Sequence, residues 1–167
     1  MLQSYPVLND TTSLLENALA PWQTAITKGN HAFESQSFYL ARDQYHSALY
    51  LVGNLIEYFT HQYDSQLQEE ALAHCCPAFV VAAHNLADCY LALSEPHKAC
   101  EQLINVHLSL TQLCDHANPQ IAMTAMRHSL KTRAELIRFI NSHEAHTTLV
   151  SWATQVLDAP HSTTHFH

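Results

Sequence analysis

Glycine is scarce in this chain, which contains only Gly29 and Gly53. Hairpins of β-strands depend on glycine for their tight turns, whereas alanine, leucine, glutamine and glutamate, which favour helices, are plentiful here. Two glycines are also too few for the backbone cradle of a phosphate loop or for a dinucleotide-binding fingerprint. The shortage predicts an all-α protein and argues against nucleotide-dependent enzymes.

Positive charge is scarce as well. Seven Lys+Arg residues stand against fifteen Asp+Glu residues, which gives a formal net charge of -8. Nucleic-acid binding depends on a basic face, so we expect no nucleic-acid partner. The fourteen histidines are scattered along the chain, and their protonation in mild acid would reverse the sign of the molecule.

The sequence shows neither an apolar run long enough to span a membrane nor the features of a signal peptide. The longest continuous apolar runs, such as AFVVAA at 78–83, are far too short to cross a bilayer, and the first ten residues lack a basic start and an apolar core. An odd number of cysteines on predicted helices favours reduced, buried thiols. These are Cys75, Cys76, Cys89, Cys100 and Cys114. We therefore expect a cytoplasmic protein with no membrane partner.

The clearest helical signal begins at Phe38. Apolar residues alternate there at spacings of three and four, at Phe38, Ala41, Tyr45, Ala48, Val52, Leu55 and Phe59. The other faces of this helix are also apolar and carry Tyr39, Tyr50 and Tyr58. The helix is therefore expected to pack on two sides or to be covered by a second copy of the chain, which would make a homodimer possible.

Several residues predict where the other helices begin and end. A first helix should start near 9–13, and Pro21 should kink or end it. Pro77 should likewise interrupt a segment that Asp64 caps, so that a helical hairpin follows over 77–110. At the turn of this hairpin, Ser94 is placed to cap the second helix. A further helix is predicted over 119–140, with its inward side formed by Ile121, Met126, Leu130, Ala134, Ile137 and Ile140.

A fixed spacing of small and large residues recurs along the chain. Counted from Gly29, the residues at offsets 12, 16 and 19 are Ala41, Tyr45 and Ala48; counted from Ala87, they are Ala99, Leu103 and Val106. Two helices approach closely only where small residues meet, so the pattern predicts close helix crossings. A third copy is expected to use Ala134, Ile137, Val150 and Ala153.

With Lys28-Gly29-Asn30, Phe33, Ala41, Tyr45 and Ala48-Leu49 in the first copy, and Asn85-Leu86-Ala87, Tyr90, Leu93 and Ala99 in the second, the chain resembles the tetratricopeptide repeat (TPR) family. The resemblance implies about six helices, arranged as antiparallel hairpins stacked in a short right-handed superhelix. We expect one domain over 1–160, with hairpins at roughly 12–62, 65–115 and 119–158 and a disordered tail at 161–167. The copies lie 58 and 47 residues apart, against 34 in the family, so the hairpins should be elongated.

The resemblance also implies a function. In this family the first helices of successive hairpins line a concave groove that binds peptides, and no cofactor is needed. By register, the groove residues here are Gln23, Thr27, Asn30 and Glu34, then Val81, Asn85 and Asp88, then His128, Thr132 and Glu135. The only basic cluster is Arg127, Lys131, Arg133 and Arg138. Of these, Arg127, Lys131 and Arg138 lie on neighbouring faces of one helix and could hold an acidic ligand. A non-enzymatic protein- or peptide-binding module is therefore the leading hypothesis.

Two alternatives remain open. One is a structural helical protein that self-associates through the long helix at 38–60, and the other is a histidine-rich metal-binding protein. The segment His143-Glu144-Ala145-His146 lacks the spacing of the zinc-protease motif and is interpreted as a surface turn. No glycine-flanked serine is present, so we expect no enzyme. The ligand types in His74-Cys75-Cys76 and Cys114-Asp115-His116 have no matched second pair, so we assign no metal ligands.

Overall fold

The computed structural model describes residues 10–159, and within that range every regular element is an α-helix. The six helices are α1 (Asp10–Glu34), α2 (Phe38–Thr60), α3 (Ser65–Ala92), α4 (Pro96–Leu113), α5 (Pro119–Ser142) and α6 (Thr147–Asp158). The predicted all-α class with about six helices is confirmed. The tail predicted at 161–167 lies outside the described residues.

The helices form three successive hairpins: α1 with α2, α3 with α4, and α5 with α6. Along one layer α1 contacts α3 and α3 contacts α5, while α2 also packs on α3 and α4 packs on α5. Within residues 10–159 the first and third hairpins make no contact with each other. The middle hairpin therefore joins the two others.

The small residues of the repeated pattern lie in the core. Ala41, Ala48, Ala87 and Ala99 are all buried, with the bulkier Tyr45 and Leu103 between them. A Cβ atom added to Gly29 would lie 2.5 Å from Cε1 of Tyr45, so α1 and α2 approach as closely there as a hydrogen side chain permits. In the first copy Gly29 thus faces the ring of Tyr45, the residue at offset 16.

The turns of the first two hairpins have the same backbone geometry. Gln36 and Ser94, which stand 58 residues apart, both adopt a left-handed conformation with φ of 59°. In each turn the amide of the next residue reaches back to the preceding helix, from Ser37 to the Ala32 carbonyl and from Glu95 to the Tyr90 carbonyl, both at 2.8 Å. Such bonds close the C-terminus of a helix. The cap expected from Ser94 is therefore wrong, because Ser94 lies in the turn after α3 and the residue that precedes α4 is Glu95.

Neither of the two central prolines ends a helix. Pro21 lies inside α1 and Pro77 inside α3, so the predicted interruption at Pro77 is wrong. A proline leaves the carbonyl four residues earlier without its helical donor. Those carbonyls belong to Asn17 and Ala73, which are exposed, so water can hydrate them. Asp64 caps α3 as expected, and its side chain accepts hydrogen bonds from the amides of Gln66 and Leu67.

The third hairpin departs from the repeat. Of the residues expected for a third copy, Ala134 and Ile137 are exposed, so the register is wrong on α5, whereas Ala153 of α6 is fully buried. The predicted inward side of α5 is also wrong in part, because Met126, Leu130 and Ile137 face outward. The buried residues of α5 are Ile121, Ala125, His128, Ser129, Thr132, Leu136 and Phe139.

All five cysteines are free, and four of them are buried, which confirms the expectation of reduced, buried thiols. Burial raises the pKa of Cys75 to about 11 and that of Cys76 to about 12, so both remain protonated near neutral pH. By length and composition α3 alone among the described helices could cross a membrane, and 56% of its apolar window is buried inside the fold.

Candidate functional site

The candidate site is a cleft on the surface that α1 and α3 share. It has a volume of about 180 Å³. Its lining residues are Asn30, Phe33 and Glu34 of α1, Tyr45 of α2, and Asn85 and Asp88 of α3. Four of these six were expected to face a groove. Asn30 and Asp88 occupy equivalent places, since they follow Gly29 and Ala87 in the two copies of the repeat.

A hydrogen-bond network fixes the orientation of the two asparagines. The hydroxyl of Tyr45 donates to Oδ1 of Asn30 at 2.8 Å, and Nδ2 of Asn85 donates to the same oxygen at 3.3 Å. Within residues 10–159 these bonds leave Nδ2 of Asn30 as a spare donor and Oδ1 of Asn85 as a spare acceptor. A peptide unit presents one carbonyl acceptor and one amide donor, so the pair matches an extended backbone.

Acidic side chains surround this pair. Burial raises the pKa of Asp88, and the neighbouring carboxylate of Glu135 on α5 adds to the effect. Burial is also the main reason that the pKa of Tyr45 is raised to about 12, to which the Asp88 and Glu34 carboxylates contribute. Glu34 and Asp88 line the cleft and give this part of the surface a negative potential, whereas Glu135 forms an ion pair with Arg138.

His84 of α3 was not singled out in the sequence, although its surroundings in the structure are unusual. It is half-buried on α3, near Glu135 and Arg138 of α5, and burial lowers its pKa. Its Nε2 atom is buried and has no hydrogen-bond partner in the described part of the chain. His84 and Asn85 are adjacent in the chain but face different helices. His84 faces α5, and Asn85 faces α1.

The more N-terminal groove candidates, Gln23 and Thr27, line different hollows. Gln23 lines a hollow of about 400 Å³ together with Glu70 and His74 of α3. Thr27 lines a separate hollow that includes Leu40 of α2. Both side chains also bond within α1: Nε2 of Gln23 donates to the Thr27 hydroxyl at 3.5 Å, and that hydroxyl donates to the backbone carbonyl of Gln23 at 2.8 Å. The surface between α1 and α3 thus continues from the cleft towards Gln23 but not towards Thr27.

Two candidates on α5 are not on the surface. His128 is 7% exposed and Thr132 is fully buried, so their assignment to a groove is wrong. Thr132 lies 2.8 Å from Nδ1 of His107 on α4, and the hydroxyl donates to the Ser129 carbonyl. Burial, together with the cations Lys131 and Arg127, lowers the pKa of His128. Arg127 and Lys131 themselves are exposed.

The candidates for self-association are exposed, as their role would require. Tyr39, Tyr50 and Tyr58 are between 60% and 69% exposed on α2. The ring of Tyr39 lies under the guanidinium of Arg42, at 5.2 Å. By helical position Tyr39 and Tyr50 share a face of α2, whereas Tyr58 points to its side.

For the histidine-rich alternative the structure offers no cluster in residues 10–159: no three His, Cys, Asp or Glu side chains there could hold a metal ion together. His143 and His146 lie in the α5–α6 turn with ring centres 6.0 Å apart. His143 stacks on Phe139 instead, with ring centres 4.1 Å apart.

Fold and site together define a class: an all-α protein of stacked helical hairpins with a polar, acidic cleft between the first helices of two of them. A family model described as "Protein of unknown function (DUF2753)" matches residues 20–163, so the chain belongs to that family. The match extends from within α1 past the end of α6. No curated protein and no solved structure matches the chain significantly.

Proposed function

We propose that this protein is a non-enzymatic binding module, similar to tetratricopeptide repeat proteins, that holds an extended peptide along α1 and α3. The observation that carries the proposal is the pair of asparagines at Asn30 and Asn85. Each has one hydrogen-bonding atom engaged within the fold and one left over, a donor on the first and an acceptor on the second. Such fixed amides bind a backbone with little loss of side-chain entropy.

The charge of the cleft favours a basic peptide. Glu34 and Asp88 line the same cleft as the asparagines, and the chain carries a formal net charge of -8. Lysine or arginine side chains of a bound peptide would lie near these carboxylates and gain charge-assisted hydrogen bonds. The buried, free thiols are typical of a reducing compartment, which supports a cytoplasmic location.

Peptide binding can be tested by selecting a random peptide display library on the wild-type protein. We expect the selected peptides to be net basic and to bind about tenfold more weakly to an Asn30→Ala, Asn85→Ala double variant, because two backbone contacts are lost. Isothermal titration calorimetry with synthetic copies of the peptides measures the change.

Asn105→Ala is the matched control, since Asn105 is an exposed asparagine on α4, away from the cleft. It should leave affinity unchanged. Selected peptides that bind the double variant as well as they bind the wild type would refute the assignment of the asparagines. A selection that yields no binding peptide would refute the proposed function.

Self-association through α2 is the second candidate function, and the high exposure of its tyrosines favours it. If α2 forms a homodimer interface, a Tyr50→Glu, Tyr58→Glu variant should be monomeric, because the interface would bury carboxylates without partners. Multi-angle light scattering of both proteins measures the change. A wild-type protein that is already monomeric eliminates this candidate.

A further inference from the structure

The outer face of α5 carries a row of apolar side chains that nothing in the described chain covers. Met123, Met126, Leu130 and Ile137 are between 41% and 63% exposed. They follow one another at spacings of three, four and seven residues. Residues at such spacings share one side of a helix. We call these four residues the α5 stripe.

The stripe lies opposite the side of α5 that enters the core. By helical position it faces away from Ile121, Ala125 and Leu136, which are fully buried. The last helix, α6, has 12 residues against 24 in α5, and it packs against α5. Arg133 of α5 donates to the Leu157 carbonyl near the end of α6 at 3.2 Å. The third hairpin, α5 with α6, therefore forms the end of the stack and leaves the α5 stripe exposed.

Basic residues border the stripe on both sides. Four of the chain's seven Lys+Arg residues are on α5, although the chain as a whole is acidic. By helical position Arg127, Lys131 and Arg138 flank one side of the stripe and Arg133 the other. The one acidic residue of α5, Glu135, lies on the side that faces α3 and forms an ion pair with Arg138. The α5 stripe is therefore a narrow apolar row within a positive surface.

We propose that the α5 stripe binds an amphipathic helix of a partner protein, whose own apolar residues recur at spacings of three and four and whose flanking residues are Asp and Glu. The spacing along α5 matches the seam of two packed helices. Acidic flanks on the partner would meet Arg127, Lys131 and Arg133, which form a charge-complementary border. Methionines in the stripe suit a helix-binding surface, since their flexible side chains adapt to different neighbours.

The charges disfavour two other occupants. A second copy packed face to face through α5 would bring Arg127 and Lys131 against their own equivalents. An anionic membrane would meet a molecule with a formal net charge of -8, and the stripe has none of the tryptophan or phenylalanine residues with which interfacial helices enter lipid. An amphipathic helix with acidic flanks would cover the apolar residues of the α5 stripe and pair with the basic residues on either side of it.

The proposal can be tested with two labelled synthetic peptides of about three heptads, both with leucine at the seam positions. One carries glutamate at the flanking positions and the other carries lysine there. Fluorescence anisotropy should show that the glutamate peptide binds the wild type, and that Leu130→Glu weakens this binding at least about tenfold. Leu108→Glu is the control, because Leu108 is an exposed leucine on α4. It should leave binding unchanged, as should the Asn30→Ala, Asn85→Ala variant.

Four results would overturn the proposal: no binding of the glutamate peptide, equal binding of the lysine peptide, equal binding by the Leu130→Glu variant, or a wild-type dimer that Leu130→Glu dissociates. Because both substituted leucines are exposed, the variants keep the fold, and matching circular dichroism spectra verify this. The cleft at Asn30 and Asn85 takes no part in this test, so the α5 stripe and the proposed peptide-binding function succeed or fail separately.

Discussion

Replacing Gly29 with alanine is expected to destabilise the protein by about 1 to 3 kcal/mol, because the new methyl group overpacks a close crossing of α1 and α2. The added carbon would lie 2.5 Å from Cε1 and 2.7 Å from Cδ1 of Tyr45. The ring cannot move away at low cost, since Tyr45 is buried and its hydroxyl bonds to Asn30. Alanine is otherwise the better helix former, so the expected loss comes from the crossing alone.

Gly53 provides the matched control for this substitution. It also lies inside a helix, α2, but a Cβ atom added there would have nothing within 4 Å. Gly53→Ala is therefore expected to stabilise the protein by roughly 0.5 to 1 kcal/mol through helix propensity. Urea unfolding followed by circular dichroism measures both variants. If the two alanines changed the free energy of unfolding in the same direction, the close approach at Gly29 would be wrong.

Ala99→Leu is the second substitution with a large expected effect. Ala99 is fully buried on α4, in the same core cluster as Ala87 and Leu86 of α3. A leucine there would have to displace atoms of a packed core, and we expect a cost of about 1 to 3 kcal/mol. The equivalent residue of the first hairpin, Ala41, is just as buried, so the same cost is expected there.

The control for Ala99→Leu is Ala73→Leu, at an exposed position inside α3. Its effect should stay within about 0.5 kcal/mol, as is usual for a surface substitution. The midpoint of thermal unfolding, followed by calorimetry, compares the two variants with the wild type. A neutral Ala99→Leu would show that the position does not lie at a close helix crossing.

Much of the fold could be predicted because the spacing of apolar residues and the positions of small residues are determined by how the helices pack. The alternation from Phe38 to Phe59 matches α2, and Gly29 marks a real close approach of α1 to α2 at Tyr45. The interruption predicted at Pro77 is wrong because local rules assign a proline to the end of a helix. At Pro21 and Pro77 the packing of long helices outweighs one missing hydrogen bond per proline.

The candidate site was predictable only in part. Asn30, Asn85 and Asp88 follow from the register of the repeat, but the bond from Tyr45 to Asn30 joins two helices and leaves no signal in the spacing. On α5 the prediction placed apolar residues inside and polar ones outside. Leu130 is exposed and Thr132 is buried, because the surface of any protein retains apolar residues and a buried hydroxyl is tolerated once it is hydrogen-bonded.

The lack of contact between the first and third hairpins within residues 10–159 has a consequence for cooperativity. In such a linear stack each unit is stabilised by its nearest neighbours, so the end units can open while the middle one stays folded. Amide hydrogens of α3, which contacts four other helices, should then exchange most slowly with solvent. The cleft at Asn30 and Asn85 spans the junction between an end unit and the middle one. A ligand bound there would close that junction and slow the fraying of the first hairpin.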